Sequence, residues 1–586
     1  MKRLFLILVC FGVVGSGLWM WQGPFLQDHV QSRWSPEAGT GFREVQEVTA
    51  KSFMVATANV HASQAARDII EQGGNAVDAT IAAQLMLTLV EPQSSGIGGG
   101  AFLLFWDETS KTLKSFDGRE TAPRAVDETL FLKEDGSPLG FGEAVRSGRS
   151  IGIPGVIAMM EKVHKQYGKL AWAKLFGPAI EKARNGFKVS HRLNALLVRK
   201  KASFFNAPAQ KLFFDDRQQA LPEGTVLKNR ALADTLQTIA EQGAAGFYQG
   251  PLAQAIVKAA HDAPAVPSAM TLEDLKDYKA LERPPVCGAY HKWNVCGMGA
   301  PSSGGTTVAM ILGLAERFSL GSEPNLEALH IIAEAEKLSY ADRNHYMADA
   351  DFIPQPTGFL DRSYLESRAK LIQPDSAMKK ALPGNPAMST KAILGQDATI
   401  EAGGTSHISI VDRQGNVVSM TSSIEGAFGS GQMVNGFLLN NQLTDFSFRP
   451  KDKEGKPIAN RVQPLKRPRS SMSPTIVFDP EGAPKIVLGS PGGSRIILFV
   501  AKSLIAHFDW GMGPQQSIGL FNFGSRGWGF ELENRPEALG FAAKLEAMGH
   551  QVRKGVMTSG AQMIVIEKDH LKGGADPRRE GVVLGD

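Results

Sequence analysis

The order of apolar and polar positions predicts helices over most of the first two thirds of the chain. Apolar residues recur at helical spacing over 58–70, and a strongly apolar run over 76–90 predicts a second helix. Runs at 101–106 and 112–116 are typical of strands. Helical patterns dominate from 153 to 350, and the most pronounced of them lie at 156–167, 231–242, 306–318 and 326–347.

The pattern changes near residue 402, where short β runs replace the helices. Runs over 407–412 and 416–422 are separated by a short polar stretch that contains glycine, which is typical of a β-hairpin. If Gln414-Gly415 forms the tip of this hairpin, the register places Ile424 opposite Thr405. The residues on either side of position 424 would then flank Thr405.

Further strands and helices complete the C-terminal part. Strands are predicted at 475–478 and 485–488, and an apolar helix is predicted at 494–507. A last helix at 536–548 and two short strands close the chain. This succession of helices, strands and helices predicts an α/β fold in which sheet layers are covered by helices.

The N-terminus has the pattern of an export signal. Lys2 and Arg3 precede an apolar run over residues 4–21. A run of about 18 residues is also long enough to stay in the bilayer as an anchor. We therefore expect an exported protein, periplasmic or extracellular, in which residues 1–22 are either a cleaved signal peptide or a membrane anchor. Beyond this leader the only cysteines are Cys287 and Cys296, which form either one disulfide or two free thiols.

Composition excludes several classes of protein. The 586 residues carry a net charge of +4, with 43% hydrophobic and 21% charged residues, which is typical of a folded globular protein rather than a disordered or multi-span membrane protein. The basic excess is too mild to predict nucleic-acid binding. Segment 449–469 holds 8 basic and 2 acidic residues. This segment either attracts anionic substrates or is simply a solvated loop.

The motifs of several enzyme classes are absent from the sequence. It contains no HExxH or GxxxxGK[ST] motif, which are the main signatures of zincins and P-loop NTPases. The glycines at 96–100 superficially fit a dinucleotide-binding motif. They lie between a predicted helix and a predicted strand, which is the reverse of the order that such a motif requires.

The stretch Gly403-Gly404-Thr405 is a candidate for self-cleavage. Two glycines allow the backbone to bend sharply, so that the Thr405 hydroxyl can reach the carbonyl of Gly404. An N→O acyl shift followed by hydrolysis would make Thr405 a new N-terminus. Its α-amino group, with a pKa of about 7.7–8.0, could then serve as the base for its own hydroxyl. His407 lies on the same face of the predicted strand and is interpreted as structural, because the amine already supplies a base.

Taken with its downstream motifs, the chain resembles the γ-glutamyltransferase (γ-glutamyltranspeptidase) family of the N-terminal nucleophile (Ntn) hydrolase superfamily. The matching stretches extend over nearly the whole chain after the leader. They are residues 73–79, 96–100, 118–123, 403–407, 439–447, 469–474, 489–495 and 574–579.

The resemblance implies a four-layer αββα sandwich that remains one folded unit after a single cut. The large subunit would comprise residues 23–404 and the small catalytic subunit residues 405–586. The enzyme would transfer the γ-glutamyl group of glutathione or related compounds to water, an amino acid or a dipeptide. No metal or organic cofactor is implied.

The resemblance also assigns roles to single residues. Thr405 matches the nucleophile, and Ser423 stands where many members have a supporting threonine. The backbone amides of Gly492 and Gly493 match the oxyanion hole, at the start of a predicted helix. The groups that bind the γ-glutamyl moiety would be Arg119, Ser470 and Ser471 for its α-carboxylate, and Glu425, Gln442 and Asp445 around its α-amino group.

Two alternatives keep this fold and change the substrate. The stretch that carries a lid in some members, 449–469, is short here, so a more open site could admit poly-γ-glutamate. A glutaryl-type β-lactam acylase is the other alternative, although Arg119 together with Glu425 and Asp445 favours a substrate that bears both a carboxylate and an ammonium group. A third alternative, from another class, is an exported, unprocessed homologue that acts only as a binding or scaffold protein.

Overall fold

The computed structural model describes residues 39–388, 393–399, 401, 403–527 and 529–586. Within these residues two seven-stranded antiparallel sheets face each other. Sheet 1 consists, in spatial order, of β21 (Val582–Gly585), β2 (Met54–Thr57), β10 (Thr405–Val411), β11 (Val417–Ser423), β3 (Gly100–Asp107), β4 (Thr112–Gly118) and β7 (Leu281–Arg283).

Sheet 2 is built from strands near both ends of the chain and from its middle. In spatial order it consists of β1 (Val48–Ala50), β20 (Leu571–Ala575), β19 (Gln562–Ile566), β15 (Pro484–Gly489), β14 (Thr475–Phe478), β9 (Trp293–Gly297) and β8 (Val286–Tyr290). The smaller sheets consist of β5 (Phe187–Lys188) with β6 (Val226–Leu227), of β12 (Met433–Val434) with β13 (Phe437–Leu438), and of β16 (Phe523–Gly524), β17 (Phe530–Glu533) and β18 (Val552–Gly555).

The helices form two outer layers. Those that contribute to the core over sheet 1 are α1 (Val60–Glu71), α2 (Ala76–Val90), α3 (Phe141–Arg146), α4 (Val156–Tyr167), α5 (Gly177–Asn185), α6 (His191–Lys200), α7 (Ala207–Phe213), α8 (Arg230–Gln242), α9 (Ala245–Tyr248), α10 (Gly250–His261) and α11 (Leu272–Lys276). Those that contribute to the core over sheet 2 are α12 (Gly304–Ala315), α13 (Leu326–Tyr346), α14 (Arg362–Ala369), α15 (Ile496–Phe508), α16 (Pro514–Gly519), α17 (Pro536–Leu539) and α18 (Ala542–Ala547).

Three apolar layers hold these elements together. Alternate residues of a strand point to opposite faces of its sheet. In β2, Val55 therefore packs under the helices of sheet 1, whereas Met54 and Ala56 face sheet 2. The layer between the sheets also contains Trp106 and Phe478, whose ring centroids are 5.0 Å apart. The order helix, sheet, sheet, helix confirms the predicted four-layer αββα sandwich.

Most of the predicted elements agree with the structure, and α2, α4 and β14 agree to the residue. Helix α2 begins at a capping box, in which Asn75 accepts the N–H of Asp78 and the Asp78 side chain accepts the N–H of Asn75. All fifteen residues of α2 are buried, which explains why its apolar run has no polar face.

The prediction for the C-terminal end is wrong in two respects. The helix expected over 536–548 is divided into α17 and α18, and Gly540, a residue with low helix propensity, lies at the break. The four strands β18, β19, β20 and β21 follow instead of two, because short strands that pair in different sheets give little periodic signal.

The two cysteines that the sequence left open are paired. Cys287 and Cys296 lie directly opposite each other on β8 and β9 and form a disulfide, with 4.0 Å between their Cα atoms. The predicted leader, residues 1–22, lies outside the described residues. Among the residues that are described, no helix is both long and apolar enough to cross a membrane.

Candidate active site

Thr405, Ser423 and the carbonyl of Gly404 meet at the open end of the β10–β11 hairpin. Thr405 is the first residue of β10 and pairs with Ser423, the last residue of β11. The Ser423 hydroxyl donates to the carbonyl oxygen of Gly404 and accepts the backbone N–H of Glu425 at 2.9 Å. The Thr405 hydroxyl lies 3.4 Å from that of Ser423. A nucleophile and a hydrogen-bond donor therefore both adjoin the 404–405 peptide bond.

The predicted register of this hairpin is wrong by one residue, since Ser423 rather than Ile424 lies opposite Thr405. The reason is the length of the turn. Gly415 has a φ of 87° and donates its N–H to the Asp412 carbonyl at 3.0 Å. A three-residue loop with glycine in the left-handed region shifts the pairing by one position relative to the two-residue loop that was assumed.

The glycine-rich loop before β3 packs against the end of the hairpin. A Cβ atom on Gly99 would lie 2.1 Å from the carbonyl oxygen of Ser423, and one on Gly98 would lie 2.1 Å from that of Leu438. These distances are far below van der Waals contact, so no side chain fits at either position. The loop that superficially resembled a nucleotide-binding motif therefore allows backbone to approach backbone beside Thr405.

The structure brings the predicted site residues together around one cavity. All of them except Gly404 and Gly492 line it. The lining residues are Arg119, Glu401, Thr405, Ser423, Glu425, Gln442, Asp445, Ser470, Ser471, Met472, Gly493 and Ile496. They come from both sides of the predicted cut and from widely separated parts of the sequence. Glu401, Met472 and Ile496 were not predicted.

Arg119 is predicted to bind the carboxylate of the substrate, and in the uncut chain its guanidinium already binds the carboxylate of Asp445. It follows β4 and is 1% exposed. Its guanidinium donates to the Asp445 carboxylate at 2.6 Å and to the carbonyl oxygens of Pro468 and Arg469 at 3.1 and 2.9 Å. Burial raises the pKa of Asp445, an effect that the Arg119 guanidinium opposes.

Two oxygen atoms at the cavity lack a hydrogen-bond donor. Gln442 donates its side-chain amide to the Asp445 carboxylate at 2.7 Å, and both residues belong to the short helix Gln442–Asp445. The other oxygens, Gln442 Oε1 and Asp445 Oδ1, are buried and have no partner among the described residues. A buried acceptor without a donor is unfavourable, so this corner is suited to a cationic donor such as an ammonium group.

Glu425 adds a second carboxylate to the same cavity. It has a φ of 75°, which is rare for a residue with a side chain, and it is buried. Asn441 donates its side-chain amide to the Glu425 carboxylate at 2.8 Å and accepts the N–H of Gly426 at 2.8 Å. Asn441 therefore fixes the backbone that carries Glu425, a role that the sequence did not reveal.

The predicted oxyanion-hole glycines precede α15. Gly492 and Gly493 have φ angles of 145° and 55°, and Gly493 begins the single turn Gly493–Arg495 that leads into the helix. Gly493 lines the cavity. A Cβ on Gly492 would lie 2.6 Å from the ring of Phe499, so Gly492 packs against α15 instead of lining the cavity.

The His407 side chain is hydrogen-bonded to residues of β10 and β11 in sheet 1. Its two ring nitrogens lie 2.9 Å from the Thr421 hydroxyl and 3.0 Å from the Ser409 hydroxyl. Its ring also fills the space at which a Cβ of Gly489 would lie, 2.2 Å from a ring carbon. Burial lowers the pKa of His407 to about 3, so it is neutral at physiological pH. These contacts agree with a structural role.

Glu401 is a site residue that the sequence analysis missed. Its carboxylate accepts hydrogen bonds from Arg343 at 2.5 Å, from Arg469 at 3.2 Å and from the Ser471 hydroxyl at 2.5 Å. Burial by itself would raise the pKa of Glu401, but the two guanidiniums lower it to about 2. Arg469 could have been found from its place beside Ser470-Ser471, whereas Arg343 lies on α13 and has no signal in the sequence.

One cluster elsewhere has metal-binding residue types. Ligand atoms of His330, Glu334 and His550 lie within 4.8 Å of one another. The two imidazoles are hydrogen-bonded to each other at 2.8 Å, and Lys337 donates to Glu334 at 2.6 Å. Because a buried ammonium already compensates the carboxylate, this cluster does not fit a divalent cation.

Comparison with known proteins shows which family the chain resembles. The sequence model of the family described as gamma-glutamyltranspeptidase matches residues 62–586. The glutathione hydrolase proenzyme of Bacillus subtilis (strain 168) is 33% identical over 574 residues, which cover 95% of each chain. The glutathione hydrolase proenzyme of Escherichia coli (strain K12) is 35% identical over 550 residues, which cover 91% of each chain.

Solved structures show the same fold. A cephalosporin acylase from Bacillus halodurans superposes with a TM-score of 0.82 at 26% identity, over 93% of this chain and 98% of the acylase. The Helicobacter pylori gamma-glutamyltranspeptidase superposes with a TM-score of 0.53 at 32% identity, over 59% of this chain and 97% of that chain. The family match over nearly the whole described sequence, together with the fold, shows that this chain belongs to the γ-glutamyltranspeptidase family of Ntn hydrolases.

Proposed function

We propose that the protein is a self-processing γ-glutamyltransferase and glutathione hydrolase. It cuts itself between Gly404 and Thr405, and residues 23–404 and 405–586 remain together as a heterodimer. The N-terminal leader directs export to the periplasm or the extracellular space, with residues 4–21 either removed or kept as an anchor. Its substrates are glutathione and other γ-glutamyl compounds, and its acceptors are water, amino acids or dipeptides.

Self-cleavage begins at the hydroxyl of Thr405. Its oxygen attacks the carbonyl carbon of Gly404, and the Ser423 hydroxyl, which donates to the Gly404 carbonyl oxygen, stabilises the negative charge that develops there. The amide nitrogen takes up the proton that the hydroxyl loses and leaves as the α-amine of Thr405, so that an ester replaces the peptide bond. Water then hydrolyses the ester and frees the new N-terminus.

The processed enzyme uses the same hydroxyl on its substrate. The free α-amine of Thr405 accepts the proton of the hydroxyl, whose oxygen attacks the γ-carbonyl and forms a γ-glutamyl ester. The backbone N–H of Gly493, at the start of the turn into α15, is suited to stabilise the oxyanion. The amine of the leaving group departs with a proton, and water or an acceptor amine then takes the acyl group.

The observation that carries the substrate assignment is the pair of unpartnered acceptors beside Thr405. Asp445 Oδ1 and Gln442 Oε1 have no donor among the described residues, and both residues line the cavity together with Glu425. An α-ammonium group supplies the positive charge and the donors that these oxygens need. Arg119, Ser470 and Ser471 complete a site for an amino acid head group, as the family resemblance implies.

Replacement of Thr405 by alanine tests the function directly. The Thr405→Ala variant should stay a single chain on a denaturing gel and should release no product from a γ-glutamyl anilide. The wild type should give two fragments, and N-terminal sequencing of the smaller one should begin at Thr405-Ser406-His407. Two fragments from the variant, or a different N-terminus in the wild type, would refute the proposal.

A second candidate is a glutaryl-type acylase, which the fold shared with the cephalosporin acylase favours. A glutaryl group lacks the amine that would satisfy Gln442 and Asp445, so we expect slower release from a glutaryl anilide than from a γ-glutamyl anilide. Poly-γ-glutamate is the third donor for this comparison. Faster turnover of either alternative donor would reassign the substrate but not the nucleophile.

A further inference from the structure

The turn Gly493–Arg495 carries the N–H that is suited to stabilise the oxyanion, but its glycines give it little stiffness of its own. Gly492 and Gly493 both have a positive φ, of 145° and 55°. Glycine adopts such conformations without steric cost and leaves them as easily. Within the turn, Arg495 donates its N–H to the carbonyl oxygen of Gly492 at 3.1 Å. The direction of the Gly493 N–H therefore depends on the contacts that hold the turn from outside.

Tyr340 holds this turn from the large fragment of the chain. It lies on α13 and is 2% exposed. Its hydroxyl donates to the carbonyl oxygen of Ser494. Burial raises the pKa of Tyr340, so the hydroxyl keeps its proton and remains a donor. Tyr340 is not among the described residues that line the cavity, so any effect that it has on the site passes through the turn.

The small fragment holds the same turn through side chains. Arg526 donates to the Ser494 hydroxyl at 2.7 Å. Arg495 donates to the Glu531 carboxylate at 2.8 Å, and Arg526 donates to that carboxylate as well. Burial by itself would raise the pKa of Glu531, but the two guanidiniums lower it to about 2. Ser494 is therefore fixed at its hydroxyl by the small fragment and at its carbonyl by Tyr340.

We propose that Tyr340 is a positioning residue for substrate turnover, whose hydroxyl orients the turn so that the Gly493 N–H faces the oxyanion that forms when Thr405 attacks a substrate. The inference rests on the proposed function and deepens it. It gives α13, a helix of the large fragment, a role in the geometry of a donor on the small fragment. Tyr340 lies outside the set of residues that the family resemblance supplied.

The hydroxyl of Tyr340 should matter for one of the two reactions of Thr405 and not for the other. In self-cleavage the negative charge develops on the carbonyl oxygen of Gly404, to which the Ser423 hydroxyl donates. In substrate turnover the charge develops on the γ-carbonyl oxygen, for which the Gly493 N–H is the proposed donor. A residue needed only for folding would affect both reactions, whereas a residue that orients the turn affects turnover alone.

The Tyr340→Phe variant tests this separation. It removes the hydroxyl and keeps the ring, over which the Arg343 guanidinium lies at 5.5 Å from the centroid. We expect the variant to cut itself into two fragments at the wild-type rate. Its kcat for a γ-glutamyl anilide should fall about tenfold to a hundredfold, because a misplaced donor stabilises the oxyanion less. KM should stay within about twofold, because the groups around the γ-glutamyl head group are unchanged.

Tyr346→Phe is the matched control. Tyr346 lies on the same helix, is buried, and also donates its hydroxyl to a backbone carbonyl, that of Gly384, at 2.7 Å. Both variants lose one hydrogen bond of the same kind, so their melting temperatures should fall by similar amounts. Tyr346→Phe should keep the wild-type kcat, KM and rate of self-cleavage.

The outcomes separate the inference from the proposed function. An unchanged kcat in Tyr340→Phe would overturn the inference, and so would a loss of self-cleavage that matches the loss of turnover, or an equal fall in kcat for Tyr346→Phe. If the wild type itself stays uncut or does not turn over the anilide, the proposed function fails and the inference fails with it. That failure is distinguishable, because it appears without any variant.

A structure of the cleaved wild type provides a second measurement, which remains decisive if Tyr340→Phe does not fold. The ligand is an analogue of glutamate with a boronic acid in place of its γ-carboxyl group, which forms a tetrahedral adduct with the Thr405 hydroxyl. We expect one boronate oxygen at about 3 Å from the Gly493 nitrogen, with the Tyr340 hydroxyl still bonded to the Ser494 carbonyl. A boronate oxygen directed away from Gly493, or a Tyr340 hydroxyl that no longer contacts Ser494, would refute the positioning role.

Discussion

At the residue scale the decisive contact is the one between the Ser423 hydroxyl and the carbonyl of Gly404. Ser423 sits at the end of β11, where Thr405 pairs with it, and its oxygen also accepts the N–H of Glu425. That accepted bond orients the hydroxyl so that its own proton points to the carbonyl of Gly404. One side chain therefore links the proposed nucleophile to the peptide bond at which we propose the cut.

The Ser423→Ala variant should cleave itself about a hundredfold more slowly, because one donor to a developing oxyanion is removed. The measurement is the rate at which the uncut chain disappears on a denaturing gel. Ser423→Thr keeps the hydroxyl and should restore the rate. Ser422→Ala is the matched control, since the neighbouring Ser422 hydroxyl is buried without a partner among the described residues. Equal rates for Ser423→Ala and the wild type would contradict the role given to Ser423.

A buried neutral histidine makes stability depend on pH. The pKa of His407 in the folded protein is about 3, below the ordinary value of about 6.5 in an unfolded chain. As the pH falls below about 6.5, the unfolded state takes up a proton that the folded state does not, so stability decreases. His407→Gln should therefore lose less stability than the wild type between about pH 6.5 and 4. Urea unfolding at several pH values measures this, and identical pH dependence in both proteins would count against it.

At the element scale, two loops position the hairpin that carries Thr405. The turn with Gly415 sets the register, and the glycine-rich loop before β3 supports the open end. Segment 449–469 has two parts. Its exposed part contains Arg449, Lys451, Lys453 and Lys456, whereas Lys466, Arg467 and Arg469 are buried and bonded inside the molecule. Only the exposed part is available to attract anionic substrates.

Two glycine-to-alanine substitutions in the glycine-rich loop test whether close backbone packing at Gly99 is what requires a glycine there. Gly99→Ala should lower the melting temperature and slow self-cleavage, because its Cβ would lie 2.1 Å from the Ser423 carbonyl oxygen and would push the hairpin end away. Gly96→Ala is the control from the same loop. Its Cβ would lie 3.4 Å from Thr88, which is ordinary contact, and we expect little change. Similar effects of both substitutions would argue against this account.

At the scale of the whole molecule, the two predicted fragments are interleaved. In sheet 1, β2 of the large fragment lies between β21 and β10 of the small one, and β11 pairs with β3. Sheet 2 has strands of the large fragment at both edges and strands of the small fragment between them. Backbone hydrogen bonds and all three apolar layers therefore cross the boundary between the fragments, and one cut does not divide the core.

The cut enzyme should consequently elute as a single species in native size-exclusion chromatography. The two fragments should separate only in denaturant, because their strands alternate within both sheets. The uncut Thr405→Ala chain should elute at the same volume, which provides the comparison. Separation of the fragments under native conditions would contradict an interleaved core.

Much of the fold could be predicted because it depends on local periodicity. The apolar runs of α2 and β14 are properties of neighbouring residues, and the bounds of both elements were predicted to the residue. The hairpin itself was also predicted. Its register was predicted wrongly by one residue, because the choice between a two-residue and a three-residue turn depends on the conformation of Gly415 rather than on apolar spacing.

By itself the sequence determined the family, and it predicted Thr405 as the nucleophile and a set of groups around a γ-glutamyl substrate, because these are carried by motifs of contiguous residues. The tertiary structure alone decided what those groups contact. It placed Ser423 opposite Thr405, paired Arg119 with Asp445 and brought Glu401 onto Arg343 and Arg469. Contacts between residues far apart in the sequence arise from strand register and helix packing, and single-sequence patterns contain neither.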